Sequence, residues 1–318
     1  MTATSTRARY REALPQLDHV PFLTDGGIET TLIFHDGLDL PHFAAYDLLT
    51  RESGADALRR YFEPYVGIAR ERGVGIVLET PTWRANPDWA ERLGHSPAEL
   101  ADLNRGAVAL LEGLRDESET LELPVVISGC VGPRGDGYVV DDAMSAEEAE
   151  AYHATQIGTF AETAADLVTA ITMTYADEAV GVVRAARAAG LPVVISFTVE
   201  TDGRLPSGQP LRDAIEEVDA RTDGTVAYFM VNCAHPSHFY DVLEPGTEWT
   251  DRIRGLRANA SRLSHAELDE AEELDEGDPE ELANEYVALR ERLPQLTVLG
   301  GCCGTDHRHI EAIGKAWS

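Results

Sequence analysis

The sequence predicts a single-domain α/β protein, a closed (β/α)8 or TIM barrel. Short apolar runs rich in Val and Ile alternate with helical segments, a pattern typical of parallel strands joined by helical crossovers. Eight such runs favour a closed barrel over an open sheet of fewer strands. The length of 318 residues suits one barrel with insertions, and no linker divides residues 1–318.

The strands are predicted from apolar runs that end in polar or glycine residues. The seven clearer runs are Pro21–Thr24, Gly75–Leu78, Pro124–Ile127, Leu167–Ile171, Pro192–Phe197, Val226–Val231 and Leu296–Leu299. An eighth, weaker run lies at Ile253–Leu256. The helical patterns between the runs carry capping residues such as Ser96, Ser145 and Gly190. The predicted helices are Ala55–Arg72, Pro97–Asp116, Ser145–Ala165, Asp177–Ala189, Leu211–Val218 and Glu280–Leu293.

The charge balance is strongly acidic, with 56 Asp and Glu residues against 26 Lys and Arg and a formal net charge of −30. Such a surface repels nucleic acid and anionic lipid, so neither is expected as a partner. The absence of a long apolar run and of a signal peptide predicts a cytoplasmic protein. The most biased segment, about 262–281, is predicted to be a solvated acidic insertion between the last two strands.

Three cysteines follow predicted strands at the rim where barrel enzymes place their functional groups. Cys233 ends the sixth run, and Cys302 with Cys303 ends the last. In a reducing compartment we expect these three cysteines and the fourth, Cys130, to be free thiols or metal ligands rather than disulfides. Three thiolates with one open position form the ligand set of a catalytic zinc site, and the glycines flanking the Cys pair permit the irregular backbone that two adjacent ligands need. Buried structural cysteines remain the alternative.

A zinc ion with an open position would suit a thiol substrate. Bound to zinc, a thiol is deprotonated yet stays nucleophilic, so it can attack an electrophilic methyl group in line. This reaction needs no protein nucleophile and no phosphate-binding loop.

Several motifs, taken in order from about Pro21 to Ala316, resemble the homocysteine S-methyltransferase family. They are Asp25-Gly-Gly27, Val131-Gly-Pro133, Ser207-Gly-Gln-Pro-Leu211, Val231-Asn-Cys233 and Gly300-Gly-Cys-Cys-Gly304. The resemblance implies a zinc-bearing barrel in which Cys233, Cys302 and Cys303 are the zinc ligands and catalytic residues. It also implies that Asp25 contacts the substrate ammonium, that backbone amides near Gly27 and Ile28 receive its carboxylate, and that Asn232 and Asn259 line the pocket.

The sequence departs from the family pattern at two places. The family commonly has a Glu at the end of the fourth strand that helps to bind the homocysteine ammonium, whereas Thr172 or Met173 stands here. Betaine-dependent members carry a Tyr in the second-strand motif, whereas this chain has Trp83-Arg84. Trp83 is a candidate for caging a methyl-bearing cation, with packing at the rim as the alternative.

These observations predict a zinc-dependent S-methyltransferase. We expect a sulfonium-type donor, S-methylmethionine or S-adenosylmethionine, to give its methyl group to the zinc-bound thiolate of homocysteine and yield methionine. The expected partners are therefore two small molecules, a thiol acceptor and a methyl donor; the sequence does not indicate an oligomeric state. One alternative is the same chemistry on another thiol or selenol, and another is a non-catalytic barrel that binds zinc or a thiol.

Overall fold

The chain folds as a closed barrel of parallel strands. The structure, a computed structural model, describes residues 8–18, 20–271 and 273–317. The eight strands follow one another in chain order around the barrel, and the last pairs with the first. They are β1 Phe22–Leu23, β2 Gly75–Glu79, β3 Val125–Val131, β4 Leu167–Met173, β5 Val193–Thr198, β6 Tyr228–Asn232, β7 Ile253–Ala258 and β8 Val298–Gly301. The predicted TIM barrel is confirmed.

Most strands extend beyond the apolar runs at their carboxyl ends. Polar and glycine residues such as Glu79, Asn232 and Gly301 continue the parallel ladder, because pairing uses the backbone and not the side chain. The weak eighth run proves to be a full strand, β7, interrupted in its apolar pattern by Arg254 and Arg257. The strand ends therefore carry the polar groups onto the functional rim.

Twelve α-helical segments surround the barrel in the described part of the chain. They are α1 Ile28–Thr30, α2 Gly54–Arg72, α3 Pro87–Leu93, α4 Pro97–Ser118, α5 Ala146–Ala161, α6 Ala176–Ala189, α7 Leu211–Arg221, α8 Pro236–Phe239, α9 Glu248–Asp251, α10 His265–Asp269, α11 Pro279–Leu289 and α12 His307–Trp317. Ser96 and Ser145 form capping boxes, and Gly190 ends α6 in the left-handed conformation. None of these helices is long and apolar enough to cross a membrane.

Helix α5 ends at Ala161 and not at Ala165 as the sequence predicts. The residues beyond it form the turn into β4, where the Asp166 carboxylate accepts a hydrogen bond from the Ile127 amide at 2.9 Å. Asp166 also forms a fully buried ion pair with Arg115 at 2.9 Å. These contacts hold the chain in a turn, so the local helical pattern is overridden by tertiary interactions.

Apolar side chains fill the barrel and the layer between strands and helices. One cluster inside the barrel includes Phe22, Val77, Val126 and Val194, and it is closed at the amino ends of the strands by Leu14. The larger cluster packs the outer faces of the strands against the helices. With both faces of the sheet covered, the barrel presents polar groups at one open rim, the carboxyl ends of the strands.

Candidate metal centre and substrate pocket

The three predicted cysteines converge at the rim of the barrel. Cys233 directly follows β6, and Cys302 and Cys303 directly follow β8. Their sulfur atoms all lie within 4.8 Å of one another. The Cys233 and Cys302 amides donate to carbonyls at the end of β7, at 3.1 and 2.8 Å, so the strand between them sets their positions. Such a cluster of three thiols has the donor chemistry of a zinc site.

The structure joins Cys233 and Cys302 by a disulfide, with Cα atoms 5.3 Å apart. We expected all four cysteines to be thiols or metal ligands. In the structure, Cys130 and Cys303 are free thiols, whereas Cys233 and Cys302 are not. The cause is proximity, because two sulfurs placed to share one ion are also placed to bond each other. A metal ion requires the reduced thiolates, so disulfide and metal are alternative states of the same residues.

Glycines allow adjacent cysteines to face one point. Gly304 has φ +78° and lies against the Asp275 backbone, and a Cβ on Gly301 would collide with Thr305. A Cβ on Gly27 would lie 2.5 Å from the Cys302 carbonyl oxygen. Only glycine fits these close approaches, so the irregular path predicted for this loop is confirmed.

An aromatic pair covers the sulfur cluster, which the sequence analysis missed. The Tyr138 hydroxyl lies 3.8 Å from the Cys303 sulfur, and its ring packs on His265 with centroids 4.3 Å apart. His265 in turn contacts the Cys233 carbonyl at 2.5 Å and the Glu200 carboxylate at 3.1 Å. Burial raises the pKa of the Cys303 thiol to about 11.

The acidic insertion, predicted to be a solvated segment, also contributes His265 to the site. Its helix α10 opens with a capping box at Ser264, which fixes His265 beneath Tyr138. Asp275, further along, accepts a hydrogen bond from Ser261 at 2.5 Å. Many of its other side chains are exposed, so the composition described the outer face of the segment and not the inner one.

A buried charge cluster, which the sequence did not reveal, lies beneath the pocket. The Arg257 guanidinium lies 2.9 Å from Asp25 and 2.6 Å from Glu79, and it donates to the carbonyls of Gly26 and Gly301, each at 3.1 Å. Burial raises the pKa of Asp25, and it raises that of Glu79 to about 7 despite the arginine. The cluster fastens β1, β2, β7 and β8 together at the rim.

The Asp25 carboxylate is thus already in contact with two other side chains of the protein, Tyr61 and Arg257. Its second oxygen accepts a hydrogen bond from the Tyr61 hydroxyl at 2.9 Å, while Arg257 faces the first. The contact of Asp25 with a substrate ammonium, which the resemblance implies, stays a prediction. Similarly, the Gly27 amide donates to the Thr305 carbonyl at 2.9 Å, which leaves the Ile28 amide, at the start of α1, as the candidate for a substrate carboxylate.

Thr172 and Asn232 are brought together at the ends of β4 and β6. The Asn232 side chain donates to the Thr172 hydroxyl at 2.9 Å and accepts from the Thr172 amide at 3.0 Å. Thr172 has φ +64°, an uncommon conformation for a β-branched residue, at a break in the β4–β5 register. Asn232 holds that conformation through these two hydrogen bonds. Thr172 therefore lies at the end of β4, where the family commonly has a Glu, and its hydroxyl and amide are both already hydrogen-bonded to Asn232.

Two further candidates lie around the cluster. The Asn259 side-chain amide donates to the Cys233 carbonyl at 3.1 Å, and the buried side-chain oxygen of Asn259, Oδ1, has no partner in the described structure. The Trp83 ring carries the Arg84 guanidinium 3.9 Å from its centroid, and Trp89 covers the same guanidinium at 4.0 Å. One face of Trp83 is therefore already occupied by a cation of the protein itself.

The protein therefore combines a closed β/α barrel with a cluster of three cysteines at the carboxyl ends of the strands, the arrangement of a barrel that can bind zinc at its catalytic rim. A family model described as Homocysteine S-methyltransferase matches residues 22–317, nearly the whole chain. The chain belongs to the homocysteine S-methyltransferase family, and it is accordingly a methyltransferase. The resemblance seen in the sequence is confirmed.

Three solved structures of the Escherichia coli homocysteine methyltransferase MmuM share the fold. The oxidized form is 21% identical with a TM-score of 0.72, and covers 94% of this chain and 96% of that one. The metallated form is 19% identical (TM-score 0.68, coverage 94% and 97%), and the apo form is 18% identical (TM-score 0.64, coverage 93% and 96%). No curated protein sequence matches this chain.

Proposed function

We propose that this protein is a zinc-dependent methyltransferase that moves a methyl group from a sulfonium donor to the thiol of homocysteine, giving methionine. The convergence of Cys233, Cys302 and Cys303, with sulfurs within 4.8 Å, carries the proposal. Soft thiolate donors on a closed rim suit zinc better than a hard cation such as magnesium. A metallated form exists for the similar MmuM, which supports metal binding by this chain.

The three cysteines would hold the zinc ion, which when bound supplies the Lewis acidity that makes an acceptor thiol nucleophilic at neutral pH. The chain's own groups would then position the acceptor. The Ile28 amide at the start of α1 is placed to receive a carboxylate, and the unpartnered Asn259 carbonyl oxygen is placed to accept a hydrogen bond. Thr172 and Asn232 would form a fixed wall, with Trp83 beside them.

Transfer from a sulfonium donor is balanced without a protein acid or base at the leaving group. The acceptor thiol releases its proton to solvent water as it binds, and its sulfur then forms a bond to the methyl carbon. The carbon–sulfur bond of the sulfonium breaks with both electrons staying on the departing neutral thioether. S-methylmethionine and S-adenosylmethionine both fit this description. Tyr138 and His265 cover the cysteine cluster, so they would keep water from the reacting sulfur.

A different thiol or selenol acceptor is the second candidate. Two observations favour it. The residue at the end of β4 is the neutral Thr172, and the Asp25 carboxylate is paired with Arg257, so neither position offers an unpaired carboxylate to an ammonium.

A donor and acceptor panel tests both candidates. Reduced, zinc-loaded protein would be incubated with S-methylmethionine, S-adenosylmethionine or betaine and with homocysteine, selenohomocysteine or simple thiols, with products identified by mass spectrometry. We expect methionine from homocysteine with a sulfonium donor. Methylation of another acceptor at a rate at least tenfold greater would favour the second candidate, and no methylated product from any pair would reject both.

A further inference from the structure

The Glu29 carboxylate lies near the cysteine cluster and has no direct ion-pair partner in the described part of the chain. It is the middle residue of α1 and is partly buried. In the described structure no other residue donates a hydrogen bond to its carboxylate and no cation forms an ion pair with it; only its own backbone amide is close enough. Burial raises the pKa of Glu29 to about 7.

The position of Glu29 is fixed by the loop that carries two of the cysteines. Gly27, just before α1, packs against the Cys302 carbonyl and donates to Thr305. Thr30, just after Glu29, accepts a hydrogen bond from the Gly304 amide at 3.3 Å. Both flanks of Glu29 are therefore fastened to the loop, and its carboxylate lies close enough to the Cys303 sulfur to interact with it electrostatically.

The other charges near Glu29 already have partners. Arg257 is held by Asp25 and Glu79, and Arg84 is stacked between two indoles and donates to the Gly135 carbonyl at 2.9 Å. Arg84 and Arg257 act on Glu29 only from a distance. A partly buried carboxylate that no cation contacts directly is costly to ionise, and a bound cation would reduce that cost. The site thus lacks one positive charge at this point.

We propose that Glu29 is a specificity-determining residue that binds the ammonium group of the acceptor amino acid. The inference rests on the proposed function, in which the acceptor sulfur lies at the cysteine cluster. Glu29 then supplies the negative charge for the ammonium. Thr172, at the end of β4, is neutral, and the Asp25 carboxylate is already paired with Arg257.

The test compares two ligands that differ only in the ammonium, homocysteine and 4-mercaptobutyrate. Calorimetry on reduced, zinc-loaded protein would measure the dissociation constants of both for the unaltered chain, Glu29→Gln and Glu29→Asp. Glu291→Gln is the matched control, because this exposed residue precedes β8 at the opposite rim. Zinc content is measured for every variant, which separates ligand recognition from loss of metal.

We expect Glu29→Gln to weaken homocysteine binding by about 10- to 100-fold, as for one charge-assisted contact, and 4-mercaptobutyrate by less than about twofold. Glu29→Asp should fall between, and Glu291→Gln should change neither ligand. Equal affinities of the unaltered chain for the two ligands, equal weakening of both, or weakening of S-methylmethionine alone would overturn the proposal. Selective homocysteine binding without turnover would support it while rejecting the proposed function.

Discussion

Arg257 should be the most costly single side chain to remove from the rim. Replacing it by Met keeps an unbranched chain of similar length but leaves Asp25 and Glu79 buried without their shared counter-charge. Breaking a buried ion pair from one side typically costs about 3–5 kcal/mol, and here two carboxylates and two carbonyls lose their partner. We therefore expect a loss of at least about 3 kcal/mol in the free energy of unfolding at pH 8.

The loss should depend on pH in a defined direction. The pKa of Glu79 is already raised to about 7 by burial, and removal of the guanidinium raises it further. A buried carboxyl with a raised pKa destabilises the fold progressively as pH rises through that pKa, because the ionised form is the costly one. At pH 5 both carboxyls of the variant take up protons, so the deficit should shrink.

Urea unfolding followed by circular dichroism at pH 5 and pH 8 would measure the effect. Arg254→Met is the matched control, because Arg254 lies on the same strand and its side chain, among the described residues, makes a single long hydrogen bond of 3.4 Å to the Leu17 carbonyl. Adding Glu79→Gln to Arg257→Met should recover part of the loss. If Arg257→Met and Arg254→Met differ by less than about 1 kcal/mol at pH 8, the charge cluster does not fasten the rim as argued.

Three further predictions concern the site itself. Cys302→Ser should abolish zinc binding measured by elemental analysis, whereas Cys130→Ser should retain one zinc per chain because Cys130 lies outside the cluster. Glu29→Gln should stabilise the ligand-free, metal-free protein by about 1–3 kcal/mol above pH 7 and by nothing measurable at pH 4.5, because the pKa of this partly exposed carboxyl is raised from 4.5 to about 7. Equal melting temperatures at pH 8 would contradict this. Gly27→Ala should weaken zinc binding by about 10- to 100-fold by displacing the Cys302 carbonyl, whereas Gly67→Ala, with open space around it, should not.

The sequence predicts the barrel and the cysteine cluster because both depend on local patterns. Apolar runs define the strands, and chain order in a parallel barrel places the ends of β6 and β8 on one rim. The serine capping boxes of α4 and α5 also follow from residues three apart. These features need no knowledge of contacts between distant residues.

The charged groups of the site could not be predicted in the same way. Arg257 and Glu79 are 178 residues apart, and each appears in the sequence only as an interruption or an end of an apolar run. Tyr138, in a loop, meets His265, the first residue of α10, and neither segment has a sequence pattern that signals the contact. The positive φ of Thr172 depends on the Asn232 side chain, so it is a tertiary property.

X-ray absorption at the zinc edge tests the central claim most directly. For reduced, zinc-loaded protein we predict about three sulfur neighbours at ~2.3 Å from the cysteines and one lighter neighbour. Addition of homocysteine should raise the count to about four sulfurs, because the acceptor thiol takes the open position. A zinc ion with fewer than three sulfur neighbours, or a sulfur count that homocysteine leaves unchanged, would contradict the proposal that these cysteines hold the ion to which the acceptor binds.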